Sequence, residues 1–307
     1  MPAQHDSVQV TVALVTRNRK AELRRALESV MAQDAVAEIV IVDDGSTDGT
    51  AEMIREEFPA VRFHRFEQPA GPAVSRNRAT ALSTGDIVVY LDDDAYFPSA
   101  ATVAQTLADF DHPRVAVVAI PFADMLNTTW IQRHHPPSDD EIWVLPTFIG
   151  AAYAARREAL TLVGGYRSQF EFSGEEADLS LRLLADGYVT RQGRADAAVH
   201  EPSSVRSKDR MAVLGRRNEI VWVWSSFPAP WHLVYVAGYA LKAIWWGFRL
   251  RQLRQMVRGA LVGLRAIPSL DRKPVPKAAF ALDRRLRKHK ALPLSEIEAD
   301  LAPLPGG

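Results

Sequence analysis

Apolar residues along the first two thirds of the chain follow two periods in turn, one typical of strands and one typical of helices. Residues 8–15 form an apolar, β-branched run. Residues 20–33 then place apolar side chains at helical spacing, namely Leu23, Ala26, Leu27, Val30 and Met31. Further strands are predicted at 38–42, 61–66, 86–91, 114–120, 187–194 and 197–200, and further helices at 50–58, 72–83 and 175–186. Because strands separated by such helices usually pair in parallel, the pattern predicts an α/β fold whose mainly parallel sheet has helices on both faces.

Polar clusters follow three of these predicted strands directly. They are residues 16–19 (TRNR), 43–48 (DDGSTD) and 92–94 (DDD). In open α/β sheets, ligands bind beyond the carboxyl ends of the strands. The sequence therefore predicts one ligand site at this edge of the sheet. Taken alone, the segment 43–48 is also typical of a turn that caps the following helix.

The adjacent carboxylates of Asp92, Asp93 and Asp94 repel one another at the end of a strand. A bound Mg²⁺ or Mn²⁺ that also bridges a diphosphate would offset this repulsion. The chain has no cysteine, which excludes disulfides, thiolate metal sites and cysteine nucleophiles. Any metal must then be a hard cation held by oxygen, with histidine as a further ligand. For the three aspartates alone, an acidic loop with a helix cap is an equally good interpretation.

Seven segments together resemble glycosyltransferase family 2, whose inverting members, rhamnosyltransferase-like bacterial proteins among them, have a GT-A nucleotide-binding domain. The segments occur in the family's order and extend over roughly residues 8–200. They are 15–19 (VTRNR), 39–50 (IVIVDDGSTDGT), 71–77 (GPAVSRN), 84–94 (TGDIVVYLDDD), 164–166 (GGY), 174–179 (GEEADL) with Arg182, and His200. The resemblance implies a GT-A, Rossmann-like fold and a sugar donor activated by a nucleoside diphosphate.

The resemblance also implies roles for individual residues. Those implied at the nucleotide sugar are Thr16, Arg19, Asp43, Asp44, Arg76, Asp92 and Asp93. Those implied at Mn²⁺ or Mg²⁺ are Asp92, Asp94 and His200, with Asp94 the better candidate for direct metal contact. Asp44, with Asp43 as the neighbouring choice, would contact the base or the ribose, and Arg76 would approach the diphosphate. A structural role is the alternative for His200.

Two glutamates stand where the family usually has Glu-Asp at the start of a helix. Alignment through residues 177–179 assigns Glu176 to the position of the catalytic base, with Glu175 as the alternative. A carboxylate can take the acceptor's proton as its hydroxyl attacks. The other explanation for acidic residues here is their favourable interaction with the helix dipole. In the implied reaction the acceptor oxygen displaces the diphosphate from the opposite side, so the anomeric carbon is inverted without a covalent intermediate.

Two other functions fit parts of the sequence. A sugar-nucleotide pyrophosphorylase would carry a glycine-rich phosphate loop after the first strand, where residues 16–19 contain no glycine. A non-catalytic, sugar-nucleotide-binding scaffold at a membrane would not need Glu176. No motif encodes the donor sugar, but residues 125–146 form a candidate acceptor or lid loop. Its aromatic side chains, which either stack on a sugar or pack within the fold, are Trp130, His134, His135 and Trp143.

The character of the chain changes after about residue 205. Residues 1–205 carry 18 Lys and Arg against 30 Asp and Glu, whereas residues 206–307 carry 19 against 7. Aromatic residues crowd between positions 222 and 248, and arginines follow them. We therefore expect a GT-A catalytic domain at 1–205 and a basic, aromatic-rich helical region at 206–307, with a frayed end from residue 293.

Residues 230–248 are about long enough to cross a bilayer, but they include His232 and Lys242. Tryptophan and tyrosine suit the membrane interface, and the arginines that follow would be attracted to anionic headgroups. An interfacial or re-entrant helix is therefore the preferred interpretation. A true span and a helical hairpin packed on the catalytic domain are the alternatives.

A membrane-bound tail makes a lipid-linked acceptor natural, with a glycan as the general class. Nucleic acid is not expected as a partner, because the aromatic residues precede the arginines rather than interleave with them. Residues 1–7 are polar and do not resemble a secretory signal. We expect a cytoplasmic protein that is peripheral or monotopic on the inner face of the cell membrane.

Overall fold

The two periods of the first part of the chain correspond to alternating strands and helices. The computed structural model describes residues 8–125, 130–133, 135–201 and 207–306. Its first elements are β1 (Val10–Thr16), α1 (Lys20–Met31), β2 (Glu38–Asp43), α2 (Thr50–Glu57), β3 (Arg62–Arg65), α3 (Pro72–Leu82) and β4 (Ile87–Asp92). Each element lies within about two residues of its predicted bounds at both ends, which confirms the predicted order of elements.

Shorter elements follow the third polar cluster. They are β5 (Ala95–Tyr96), α4 (Thr102–Ala108), β6 (Val115–Ala119), β7 (Phe122–Asp124), β8 (Trp130–Arg133), β9 (Trp143–Leu145), β10 (Ala152–Arg156), α5 (Arg157–Leu162), α6 (Glu175–Ala185), β11 (Val189–Gln192) and β12 (Ala198–His200). The pattern predicts β6, α6, β11 and β12 and misses the others. The missed elements are too short for a period to be established from their apolar positions.

Most of the basic region after residue 205 is helical in the structure. It comprises α7 (Lys208–Ser226), α8 (Trp231–Arg249), α9 (Leu253–Ala266), α10 (Lys277–His289), β13 (Leu292–Pro293) and α11 (Leu294–Ile297). The prediction of a frayed end is wrong, because β13 pairs with β9 and Leu294, Ile297 and Leu301 are buried beside it. Burial of these aliphatic side chains offsets the entropy lost in ordering the segment.

The main sheet has nine strands in the order β13-β9-β11-β6-β10-β4-β1-β2-β3. The strands β4, β1, β2 and β3 run parallel to one another, and β10 is antiparallel to both of its neighbours. The carboxyl ends of β1, β2 and β4 therefore meet at one edge. A smaller sheet, β5-β12-β7-β8, pairs His200 with Ala95 and so brings this histidine beside the end of β4.

Successive residues of β1 face two different cores. Val12 and Leu14 pack in the cluster that contains Leu23 of α1, whereas Ala13 packs in the cluster that contains Tyr153 of β10. Both faces of the strand are thus buried, which explains its continuous apolar run. The helices on both faces give the rigid support that holds the polar edge in place.

α8 is amphipathic and packs against α7 and α9. Within the described residues no helix has both the length and the apolar character needed to cross a bilayer, so the interpretation of residues 230–248 as a true span is wrong. Val236 and Ala243 of α8 are buried, while Leu241, Trp245 and Phe248 are 68%, 56% and 68% exposed. The helix therefore presents an apolar outer face.

Candidate functional site

The polar ends of β1, β2 and β4 open into one cavity of about 1080 Å³. This volume suits a ligand the size of a sugar nucleotide. The predicted site residues that line the cavity are Thr16, Arg19, Asp44, Arg76, Asp92, Asp93, Glu175, Glu176 and His200. Asp43 and Asp94 lie behind its wall, with exposures of 0% and 2%.

Asn18 joins the loop after β1 to the loop after β2. Its backbone N–H donates to Ser46 Oγ at 2.9 Å, and its side-chain Oδ1 accepts from the backbone N–H of Thr47 at 2.7 Å. Asn18 has a φ of 53°, a left-handed conformation that asparagine tolerates better than most residues. The contact brings together the two polar clusters that the sequence places far apart.

Asp44 reaches the cavity, but its carboxylate also organises the segment before α3. It accepts hydrogen bonds from the backbone N–H groups of Ala70 at 2.7 Å and Gly71 at 3.1 Å, and from the Ser75 hydroxyl at 3.0 Å. Asp43, in contrast, is fully buried and does not line the cavity. Of the two aspartates left open by the sequence, Asp44 is therefore the one that lines the cavity.

Asp93 forms a buried network with the loop after β1. Its oxygens accept hydrogen bonds from Thr16 Oγ1 at 2.8 Å and from the Arg19 guanidinium at 2.5 Å. Burial raises the pKa of Asp93 to about 6, and the neighbouring carboxylates add to this while Arg19 opposes it. Arg19 also contacts Asp94 at 3.0 Å. These contacts make Asp93 and Arg19 the internal support of the acidic strand end.

Asp92, Asp94 and His200 form a carboxylate–histidine cluster whose potential ligand atoms lie within 4.8 Å of one another. His200 Nε2 is 3.2 Å from Asp94 Oδ1. Within the described residues, neither ring nitrogen of this buried histidine makes a hydrogen bond. Since a buried imidazole without hydrogen bonds is costly, the arrangement fits a cation better than a purely structural role. Two carboxylates and an imidazole are a suitable donor set for Mn²⁺, and their oxygens also suit Mg²⁺.

Arg76 links the carboxylate–histidine cluster to the start of α6. Its guanidinium lies 3.3 Å from Asp92 Oδ1, 3.1 Å from Glu175 Oε1 and 3.9 Å from Glu176 Oε1. The side chain is only 11% exposed and lies 5.7 Å from the centre of the Tyr166 ring. Arg76 is therefore a fixed positive charge between three carboxylates at the cavity wall.

Glu175 and Glu176, the glutamate pair, begin α6 directly after Gly174. Gly174 has a φ of 95°, which a residue with a side chain rarely adopts. The Glu175 side chain is 5% exposed and the Glu176 side chain 17%. Burial raises the pKa of Glu176 to about 8, with Glu175 adding to the increase and Arg76 opposing it. A carboxylate with a raised pKa holds a proton more strongly and suits proton transfer near neutral pH.

Gly150 is a site residue that the sequence analysis missed. A Cβ at this position would lie 2.7 Å from both the Arg76 guanidinium and Glu176 Oε1. The backbone therefore approaches the charged groups closely, and a side chain here would force the Arg76 guanidinium or the Glu176 carboxylate to move. No local motif marks this glycine, because the contact joins segments that are distant in sequence.

Asn218 of α7 holds the loop that leads into the glutamate pair. Its side-chain amide donates to the carbonyl oxygens of Phe172 at 2.5 Å and Ser173 at 2.8 Å. One turn further along α6, Asp178 accepts hydrogen bonds from Arg167 at 2.9 Å and from Ser226 of α7 at 2.6 Å. The basic C-terminal region thus supports the helix that carries the glutamates.

α7 also contributes directly to the cavity, through Ser207 just before it and through Arg210, Met211 and Leu214. The structure describes only part of the candidate lid loop at 125–146. His134 and the Trp130 side chain lie outside the described residues. Trp143 stands on β9, where its indole nitrogen donates to Ser138 Oγ at 3.4 Å. Neither Trp143 nor His135 lines the cavity.

The sequence profile described as Glycosyl transferase family 2 matches residues 11–170. Among curated proteins, the chain is 29% identical over 208 residues to the pre-mycofactocin glycosyltransferase of Mycobacterium tuberculosis, covering 62% of this chain and 42% of the relative. It is 37% identical over 93 residues to the succinoglycan biosynthesis protein ExoU of Rhizobium meliloti, covering 29% of this chain and 27% of the relative. The chain thus spans less than half of the length of these two relatives.

Solved structures share the fold at low sequence identity. The mannosyltransferase PcManGT from Pyrobaculum calidifontis, in complex with GDP-Man and Mn²⁺, has a TM-score of 0.56 and 21% identity over 95% of this chain and 84% of its own. S. aureus TarS 1–349 in complex with UDP-GlcNAc has a TM-score of 0.60 and 17% identity over 95% of this chain and 90% of its own. These similarities confirm a GT-A-like arrangement of a central sheet flanked by helices.

Proposed function

The chain belongs to glycosyl transferase family 2, and from this membership we propose that it transfers a sugar from a nucleoside diphosphate to a hydroxyl group of an acceptor. The observation that carries the proposal is the convergence of the carboxylate–histidine cluster, Arg76 and the glutamate pair on one cavity. A cation site, a fixed guanidinium and a carboxylate base are the parts needed to displace a diphosphate from a sugar.

The carboxylate–histidine cluster would hold Mn²⁺ or Mg²⁺. The two carboxylates match the preference of these hard cations, and the absence of hydrogen bonds to the His200 ring within the described residues leaves its nitrogens available. When bound, the cation would neutralise negative charge on the leaving diphosphate. Arg76, 3.3 Å from Asp92, supplies a second positive charge at the same wall of the cavity.

Glu176 is the preferred catalytic base. It is more exposed to the cavity than Glu175 and farther from Arg76, 3.9 Å against 3.1 Å, so its carboxylate is less engaged by the guanidinium. In the proposed step, Glu176 takes the proton of the acceptor hydroxyl as that oxygen attacks the anomeric carbon. The bond to the diphosphate breaks on the opposite side, so the configuration inverts and no covalent intermediate forms. Arg76 contacts the two glutamates and the acidic end of β4 and so holds them in fixed positions relative to one another.

Nucleotide binding tests the proposal first. Thermal shift of the purified protein would be measured with UDP, dTDP, GDP and ATP, each with Mn²⁺, with Mg²⁺ and with EDTA. We expect one diphosphate to stabilise the protein selectively and only with metal, since a ligand that binds the folded state raises its stability. The Glu176→Gln variant should keep this shift and lose sugar transfer. Absence of any shift at millimolar nucleotide would contradict the proposed function.

The partner surface that we propose is a membrane, contacted by the outer face of α8. Leu241, Trp245 and Phe248 of this face are exposed, and Arg249 packs over the Trp245 ring at 5.4 Å. An exposed apolar face followed by arginines suits an interface with anionic lipid. The location on the inner face of the cell membrane stays a prediction from the sequence.

A further inference from the structure

A second groove, of about 1030 Å³, runs between α7 and α9. It shares Arg210 and Leu214 with the catalytic cavity, so the two spaces adjoin at these side chains. From the sequence, the arginines of α9 are expected at a membrane surface in general. The structure places several of them around a defined groove that leads to the proposed active site.

The groove combines positive charge with an apolar lining. Its arginines are Arg210, Arg254, Arg258 and Arg265, and its acidic residue is Asp209. Among the described residues, none of these four guanidinium groups forms a hydrogen bond or an ion pair through its side chain. Apolar side chains such as Val213 and Leu261 line the same groove, and Leu261 is 45% exposed. Arginine recognises phosphate through charge and paired N–H donors, while the aliphatic side chains favour a hydrocarbon.

Helix geometry explains how one face carries both kinds of side chain. Arg254, Arg258, Leu261 and Arg265 follow one another along α9 at spacings of four, three and four residues, which keep them on nearly the same side. On the side facing α7, Gly259 leaves no room for a Cβ beside the Val213 carbonyl and Arg216. This close packing fixes the position of the arginine-bearing face relative to the cavity.

We propose that the α7–α9 groove binds the phosphate group and the adjoining hydrocarbon of a lipid-linked acceptor. The acceptor's sugar would then enter the catalytic cavity past Arg210 and Leu214. The inference rests on the proposed function, because it assigns the acceptor class of the same site. The exposed apolar face of α8 belongs to the same helical layer, and this would let a lipid pass from a membrane into the groove.

Binding of farnesyl diphosphate, pyrophosphate and farnesol, measured by isothermal titration calorimetry in EDTA, tests the groove. EDTA removes the divalent cation, which reduces binding of a diphosphate at the catalytic cavity. The variants are Arg254→Gln/Arg258→Gln, which removes two charges, and Leu261→Glu, which changes the apolar lining at an exposed position. The matched control is Arg55→Gln/Lys288→Gln, which removes two exposed charges outside the groove.

We expect farnesyl diphosphate to bind at least tenfold more tightly than pyrophosphate or farnesol, because both its charge and its chain are recognised. Its Kd should rise at least tenfold in each groove variant and change less than twofold in the control. The inference would be overturned if wild type, the groove variants and the control all bound farnesyl diphosphate equally. It would also be overturned if wild type bound pyrophosphate as tightly as farnesyl diphosphate. The metal-dependent nucleotide shift of the same variants separates the two proposals. If the nucleotide shift persists but the farnesyl diphosphate titrations do not give the expected result, only the assignment of the acceptor is wrong. If neither wild type nor any variant shows the nucleotide shift, the proposed function itself is wrong.

Discussion

Asn218→Ala is the substitution that most directly tests how the C-terminal helices support catalysis. Asn218 is fully buried, and its amide donates to two carbonyl groups of the loop before the glutamate pair. In that loop Ser173 and Gly174 both have positive φ angles, 63° and 95°. Glycine adopts such a conformation readily, but Ser173 keeps it only when the surroundings hold it. The variant removes these two hydrogen bonds, and a third that Arg217 donates to Asn218 Oδ1 at 2.7 Å, while leaving every residue of the cavity lining in place.

The expected cost follows from these contacts. Each of the three hydrogen bonds contributes about 1 kcal/mol net, so the free energy of unfolding should fall by about 3 kcal/mol. The substitution should also lower the rate constant kcat. Displacement of a catalytic group by about 1 Å can lower a rate by roughly 100-fold. We therefore expect kcat to fall between about 10- and 100-fold, because Glu176 begins the helix that this loop leads into.

Urea unfolding, followed by tryptophan fluorescence, gives the stability of wild type and variant. Steady-state transfer with saturating metal gives kcat and the donor KM, which should change less than about threefold because Asn218 does not line the cavity. Gln169→Ala is the matched control. It removes a hydrogen bond of 3.1 Å to Ser225 of the same helix without touching residues 172–174. The control should lose about 1 kcal/mol or less and keep its kcat.

A variant that loses about 3 kcal/mol but keeps the wild-type kcat would refute the positioning role of Asn218. In that case the loop would only stabilise the fold. A parallel rise in the donor KM would also contradict the reasoning, because the residue would then act on nucleotide binding rather than on the base.

The remaining predictions concern pH, helix packing and the membrane. The pKa of Glu176 is raised from 4.5 to about 8, so ionising this residue in the folded protein costs stability as pH rises through that window. In EDTA, the Tm of Glu176→Gln minus the Tm of wild type should therefore grow between pH 5 and pH 8. A constant difference would count against the raised pKa. Gly259→Ala should lower stability by about 1–3 kcal/mol in urea because its Cβ meets α7. In Gly215→Ala no atom of the described residues lies within 4 Å of the added Cβ, so stability should rise by about 0.5–1 kcal/mol; equal effects would exclude the clash. Leu241→Glu should weaken co-sedimentation with anionic vesicles at least fivefold, whereas Leu162→Glu, 50% exposed on α5, should not; retained binding would remove α8 from the interface.

The first part of the fold and the family could be predicted from the order of residues alone. Long elements such as β1 and α1 contain enough apolar residues for their pattern to be recognised. Residues of both elements pack together in one buried core. The polar clusters could be assigned to one edge because parallel strands end on the same side of a sheet. Asp92, Asp94 and His200 were proposed as one metal site through the family resemblance, and the structure brings them within 4.8 Å.

Which side chains face the cavity depends on contacts that form only in the folded protein. The tertiary structure separates Asp44 from the buried Asp43, and it turns the expected frayed end into a strand at the edge of the main sheet. Gly150 and Asn218 act on groups far away in sequence, so no local pattern could mark them. The same holds for the α7–α9 groove, since a helix period shows which residues share a face but not which space that face borders. Local periodicity is encoded in neighbouring residues, whereas the shape of the site depends on contacts between distant ones.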